Sequence, residues 1–280
     1  MFIPGGRTGF LLIHGMSGTP VEMRYIVNGL VREGYTVACP QLAGHCRSVE
    51  ELKATSWRDW LASVEAALDQ LRECCDHVFV GGLSMGAVLA MKVAARNPDI
   101  IRGTVLYSPT LWLDGWSIPP YGRLFRLVRH KWFANLLHFS EQSPYGIKDV
   151  RLRQLIADAL NSGDASKAGF LSIPGGLLLE LRWLVNSVKE DLCGIKQPVL
   201  IVHPRDDDRA SLSNAVYLER KLGGRVETVV LEDSYHIVTL DRQRDLVLGR
   251  TTAFAAAVMS ELNSRRTPAV VEAIKPSAVA

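Results

Sequence analysis

No stretch of this 280-residue sequence is apolar for long enough to cross a membrane as a helix. The opening MFIPGGRTGFLLIHG places too few residues before its first strand, with no basic start ahead of an apolar region, to read as a secretory leader. Cysteine is sparse. The five residues, Cys39, Cys46, Cys74, Cys75 and Cys193, are odd in number and scattered, and no two form a C-x-x-C pair. That pattern excludes a disulfide framework and a cysteine zinc site, and it makes a reducing, cytoplasmic setting the expectation. No His, Asp or Glu cluster has metal-ligand spacing, so neither a metal nor another cofactor is expected. An excess of one charge is lacking too. With 32 Lys and Arg against 29 Asp and Glu the net charge is +3, too small and too dispersed for nucleic-acid binding to be the main activity. There is no internal repeat. What remains is 48% hydrophobic and 22% charged, the balance of a globular protein with either one large α/β domain or a core carrying an inserted subdomain.

Short apolar runs alternate with helical periodicity along both ends of the chain. Strands are expected at 9–13, 35–39, 78–82, 102–107, 198–204 and 226–231. Helices are expected at 21–32 behind Pro20, at 56–73, 85–96, 211–222 and 241–262, with 40–56 as a loop. Buried strands separated by helices mean βαβ units and a mostly parallel sheet, the α/β class. The rhythm stops after Ser108-Pro109 and resumes near Pro198. The interval holds no comparable strand and reads as helices near 121–139, 148–161 and 175–190. The expected organisation is a core of 1–109 and 191–263, a helical cap of 110–190 inserted after the strand ending near Tyr107, and a loose tail at 264–280.

In open parallel sheets, functional groups collect beyond the carboxyl ends of the strands. Ser84 follows one strand inside Gly82-Leu83-Ser84-Met85-Gly86. The run Asp206-Asp207-Asp208 follows another strand, and His236 follows the last. All three therefore share one edge, in the chain order serine, acid, histidine. A serine hydroxyl is a poor nucleophile until a base takes its proton, and imidazole does so near neutral pH when a carboxylate holds its far nitrogen. Glycines at 82 and 86 are what a sharp strand-to-helix turn demands. A developing oxyanion needs two backbone N–H donors: Met85, directly after the serine, supplies one, and the loop HGMSGTP supplies the other through Met16. Of the remaining histidines, His14, His45 and His203 read as structural.

His14-Gly15, the Gly-Leu-Ser-Met-Gly turn, PVLIVHPRDD and DSYHIVTLD together resemble the α/β-hydrolase fold, and within it bacterial carboxylesterases and monoacylglycerol lipases. The resemblance covers the two core halves, while the insertion matches by position only, as a cap. It implies a Ser84–His236–Asp207 triad, selecting Asp207 from its neighbours, with Asp206 as the alternative and Asp114 as a rival acid after the preceding strand. Arg205 and Arg209 are expected to neutralise the two carboxylates that do not face His236. The implied activity is serine carboxylesterase hydrolysis of short- to medium-chain esters or monoacylglycerols. The same triad also serves thioesterases, amidases and acyltransferases, and a ligand sensor with slow turnover could retain it. Two departures stand out. Cys46 occupies the place of a glycine in GHCRS, which implies a different turn there, and the short start leaves no room for a leading antiparallel hairpin.

The cap sequence YGRLFRLVRHKWFANLLHF interleaves Arg123, Arg126, Arg129 and Lys131 with Leu124, Phe125, Leu127, Trp132 and Phe133. One interpretation is a cap helix packed on the core with a solvated basic side. The other is a basic amphipathic surface that touches anionic lipid. In either case the expected partner is a small-molecule ester, with no nucleic acid.

Overall fold

The computed structural model describes residues 1–140, 142–161, 169 and 172–266. Among the described residues the strands are β1 (Phe2–Ile3), β2 (Thr8–Ile13), β3 (Thr36–Ala38), β4 (His77–Leu83), β5 (Ile101–Tyr107), β6 (His138–Ser140), β7 (Ser172–Pro174), β8 (Val199–Pro204) and β9 (Val226–Leu231). Seven of them form one sheet in the order β1-β3-β2-β4-β5-β8-β9. All neighbours in it are parallel except β1, which pairs antiparallel with β3. The central strands β4 and β8 are buried along their whole length. That is why they read as continuous apolar runs rather than as an alternation.

The helices are α1 (Arg24–Arg32), α2 (Val49–Ala54), α3 (Trp57–Arg72), α4 (Met85–Arg96), α5 (Lys131–Ala134), α6 (Val150–Asn161), α7 (Gly175–Asp191), α8 (Ser213–Lys221) and α9 (Arg244–Arg266). Two apolar cores lie on the two faces of the sheet. One joins α3, α4 and α7 through residues such as Trp60, Leu68, Val88, Leu89 and Leu184. The other joins α1 and α9 through Ile26, Leu30, Phe254 and Val258.

Three expectations need correction. The loop at 40–56 contains α2, whose start was written in the sequence: the Ser48 hydroxyl accepts from Glu51 N while the Glu51 carboxylate accepts from Ser48 N. The leading hairpin does not form, since β1 is two residues long and pairs antiparallel with β3 rather than with β2. The helix expected at 121–139 is broken into a 3-10 turn at Pro120–Leu127, the four-residue α5, and β6. Arg182 of α7 donates to the carbonyls of Phe125, Arg126 and Val128, acceptors that a continuous helix would have used internally. Finally, the insertion does contain strands, because β6 pairs antiparallel with β7. Of the expected tail, 264–266 belongs to α9 and 267–280 lies outside the described residues.

Candidate active site

Strand β4 ends at Leu83 and α4 begins at Met85, leaving Ser84 alone to make the turn. Its backbone sits at φ 58°, ψ −115°, a region that side chains avoid and that concentrates at functional sites. The turn is possible because its flanking glycines are bare. A Cβ on Gly82 would lie 2.2 Å from the Gly86 carbonyl, and one on Gly86 would lie 2.3 Å from the Ile13 carbonyl oxygen. Met85 is the first residue of α4, so its N–H has no partner within the helix and points out of the positive end.

Beyond β8, Asp207 is buried and accepts from the N–H groups of Arg209 and Ala210 at 2.8 and 2.9 Å. Its two oxygens meet His236 Nδ1 at 2.9 and 2.8 Å. Burial works to raise the Asp207 pKa, but the adjacent His236, by charge and hydrogen bond, holds it below the usual carboxylate range, helped by His203 and the Ala210 amide. With Nδ1 directed to a carboxylate, Nε2 is the His236 ring nitrogen turned away from Asp207. His203 donates through Nε2 to the Ala210 carbonyl at 2.7 Å and so braces the acid loop.

The neighbours of Asp207 do other things. The Asp206 side chain is exposed, with Lys148 Nζ 3.9 Å away. Arg205 pairs bidentately with Glu232 rather than with any of the three aspartates, while Arg209 Nε lies 3.9 Å from Asp208. The expected neutralisation thus involves Arg209 at Asp208 and Lys148 at Asp206, while Arg205, bonded to Glu232, acts on Asp206 only through its charge. Asp114 accepts from Ser211 N and Oγ, Ser213 Oγ and Trp112 Nε1, holding the start of α8, and makes no bond to His236 among the described residues.

The loop after β2 is held by imidazoles. Leu42 N donates to His14 Nε2, so the His14 proton sits on Nδ1 and goes to the Gly15 carbonyl at 2.9 Å. His45 Nε2 lies 2.7 Å from the Met16 carbonyl. Gly15 N is taken by Glu22 Oε2 at 2.9 Å, which leaves Met16 as the next amide in the loop. Cys46, where the resemblance has glycine, sits at φ 62°, so the exchange is carried as backbone strain at that residue.

Burial and the neighbouring His45 push the His14 pKa from 6.5 to about 3. The unfolded chain then binds a proton below about pH 6.5 that the folded one refuses, so stability falls as pH drops toward 3. His14 alone is expected to cost about 2 kcal/mol at pH 5, and His45 and His203, also lowered chiefly by burial, add to it. Urea midpoints measured from pH 7 to pH 5 check this, and a flat profile would count against neutral buried imidazoles.

Two groups at the site were not anticipated from the sequence. Thr110 gives its proton to the Ser108 carbonyl at 3.1 Å, so at 3.2 Å its oxygen accepts from the Ser84 hydroxyl. Among the described residues that hydroxyl makes no bond to His236; catalytic contacts are commonly slack before substrate binds. Ser108, at φ 44°, donates to the His236 carbonyl at 2.6 Å. Neither has a motif, since a single hydroxyl after a strand carries no pattern.

A profile of the serine aminopeptidase S33 family matches residues 7–243. A thermostable monoacylglycerol lipase of Bacillus sp. (strain H-257) is 29% identical over 256 residues, covering 91% of this chain and 93% of the lipase. A carboxylesterase of Bacillus subtilis (strain 168) is 27% identical over 246 residues, covering 87% of this chain and 90% of the esterase. Among solved structures, a metagenome-derived lipolytic enzyme superposes with a TM-score of 0.75 at 28% identity, covering 91% of this chain and 95% of its own. The monoglyceride lipase of Saccharomyces cerevisiae, at 16% identity, shares the fold with a TM-score of 0.77 over 92% of this chain and 91% of its own. With the sheet order, the Ser84 turn and the family match in agreement, this chain is an α/β-hydrolase enzyme and belongs to the serine aminopeptidase S33 family.

Proposed function

We propose that the protein hydrolyses carboxylic esters of short to medium acyl length, monoacylglycerols included, through Ser84, His236 and Asp207. The observation that carries this is a strained serine at the end of β4 sharing one sheet edge with a buried Asp207–His236 pair at 2.8 Å. The Ser84 hydroxyl turns from Thr110 to His236 Nε2, gives up its proton there and attacks the ester carbonyl. The oxyanion is held by the amides of Met16 and Met85. His236 returns the proton to the leaving alcohol, and the acyl-enzyme is then released by a water that His236 deprotonates. Met85 at the start of α4 and the imidazole-held loop around Met16 support the oxyanion assignment.

The ester class rests on the likeness to the Bacillus lipase and carboxylesterase, together with an insertion rich in leucine and aromatics. We assign 110–190 as the cap over this edge and 1–109 with 191–263 as the core. The family's description favours a second substrate class, amides. On p-nitrophenyl esters of rising chain length, kcat/KM is expected to peak at short to medium acyl groups. Amino-acid p-nitroanilides are expected to turn over far more slowly, and the reverse order would favour the amide reading.

The cap also supports contact with a lipid surface. Leu124, Leu127, Trp132 and Leu136 are each at least 66% exposed beside Arg126 and Arg129. Lys131 does not join them, since its ammonium pairs with the buried Glu180 at 2.8 Å. Flotation with liposomes containing anionic lipid is expected to carry the protein upward at low salt and less at high salt. No flotation at low salt would sink this reading. Five free thiols and no described helix long and apolar enough to cross a membrane accord with a cytoplasmic location.

A further inference from the structure

The loop that carries His236 is tied down by two buried carboxylates outside the triad, and both reach into the insertion. Asp241, 1% exposed, accepts from three backbone N–H groups: Tyr235 at 2.7 Å in its own loop, and Lys148 at 2.8 Å and Asp149 at 2.9 Å in the insertion. Asp208, also 1% exposed, accepts from Gly146 N at 3.1 Å and from His236 N at 3.3 Å. Between them Ile237 N donates to the Gly146 carbonyl at 2.8 Å. Gly146 itself sits at φ 73°, and a Cβ there would lie 3.2 Å from His236 Cβ. The insertion thus comes up against the histidine with no side chain between. Buried N–H groups are costly to strand, so these two segments keep their partners only if they stay together.

We propose that Asp208 and Asp241 are positioning residues for His236, locking segment 145–149 of the insertion to the histidine loop so that the imidazole is aligned only while that segment is docked. The proposal rests on His236 being the base. Misplacement of a catalytic group by about 1 Å costs about a hundredfold in rate, which sets the scale of the effect. An asparagine at 241 would offer one oxygen and one NH2 to three converging N–H donors, setting donor against donor. Asp208 also bears on the charge at His236. Its carboxylate is faced by the His236 imidazole, by Asp207 and by Arg209, with Nε 3.9 Å away. Removing one negative charge from this group makes the protonated imidazole less favourable, a consequence that a purely structural role would not have.

The test measures kcat, KM and the pH profile on p-nitrophenyl butyrate, with hydrogen exchange of peptides covering 145–149 and 234–241. For Asp241→Asn, kcat is expected to fall about a hundredfold with KM within about threefold of wild type, and exchange to quicken in both segments together. For Asp208→Asn, which retains one acceptor oxygen, a fall of about tenfold is expected, with the acid limb of kcat/KM moved to lower pH. The proposal is overturned if folded variants keep wild-type kcat and pH profile, or if only 145–149 exchanges faster. Should Asp241→Asn fail to fold, Asp208→Asn decides alone. His236→Ala separates the two ideas: activity surviving in it removes the triad reading itself, whereas an inactive His236→Ala beside fully active aspartate variants rejects the lock alone.

Discussion

Replacing Ser84 by alanine is expected to lower kcat on simple esters by about 10⁴- to 10⁶-fold, because the proposed mechanism loses its nucleophilic oxygen while the groups around it stay in place. Labelling by a fluorophosphonate probe should vanish with it. The protein should remain folded, since among the described residues the Ser84 hydroxyl makes one 3.2 Å hydrogen bond, to Thr110. The backbone makes a second, independent prediction at the same position. At φ 58°, ψ −115° any Cβ is strained, so Ser84→Gly should be equally inactive but more stable than Ser84→Ala by about 1 to 3 kcal/mol. Denaturant midpoints compare the two variants. Full activity in Ser84→Ala would overturn the mechanism, and equal stability of the two variants would remove the strain argument.

Replacing Asp207 by asparagine is expected to lower kcat about 10⁴-fold near neutral pH. Three hydrogen-bond donors converge on the Asp207 carboxylate: Arg209 N, Ala210 N and His236 Nδ1. An asparagine whose oxygen satisfies the two amides turns its NH2 toward Nδ1. The imidazole can then bond only by accepting there, which places its proton on Nε2, the nitrogen that must be free to take the serine's proton. The fold is retained and the base is lost. Asp206→Asn is the matched control. Its side chain is exposed and meets Lys148 only at 3.9 Å, so kcat should stay within about twofold of wild type. A large loss in Asp206→Asn with little in Asp207→Asn would move the acid by one residue.

The contrast between these adjacent aspartates marks where the sequence stopped being informative. That an acid was needed beyond β8 followed from chain order and strand ends alone. The resemblance selected Asp207 from three consecutive carboxylates, but the physical reason lies in the tertiary structure, because their separate fates are set by groups far away in the chain. His236 takes Asp207, the insertion takes Asp208, and solvent takes Asp206. The same division explains Asp114, whose position after a strand suited an acid but whose carboxylate is consumed at the start of α8 by Ser211 and Ser213.

In the core, local signals were strong because the central strands β4 and β8 are buried along their whole length and the glycine-flanked Ser84 turn marks where α4 starts, so periodicity and punctuation agree. The helix α4 matches its expected span, Met85–Arg96, for that reason. In the insertion, apolar and basic residues at helical spacing implied a helix that does not form, since Arg182 and the β6–β7 ribbon claim the backbone groups it would need. Alone, the sequence determined the α/β class, the serine turn, and the order serine, acid, histidine along one sheet edge. Those properties depend on steric demands and hydrogen bonds between near neighbours. Only the tertiary structure decided what Asp206 and Asp208 do instead, that the resting Ser84 hydroxyl bonds Thr110, and that Asp208 and Asp241 join the insertion to the histidine loop. The contacts behind these decisions close between residues 26 to 93 positions apart, a separation over which no local pattern can specify a partner.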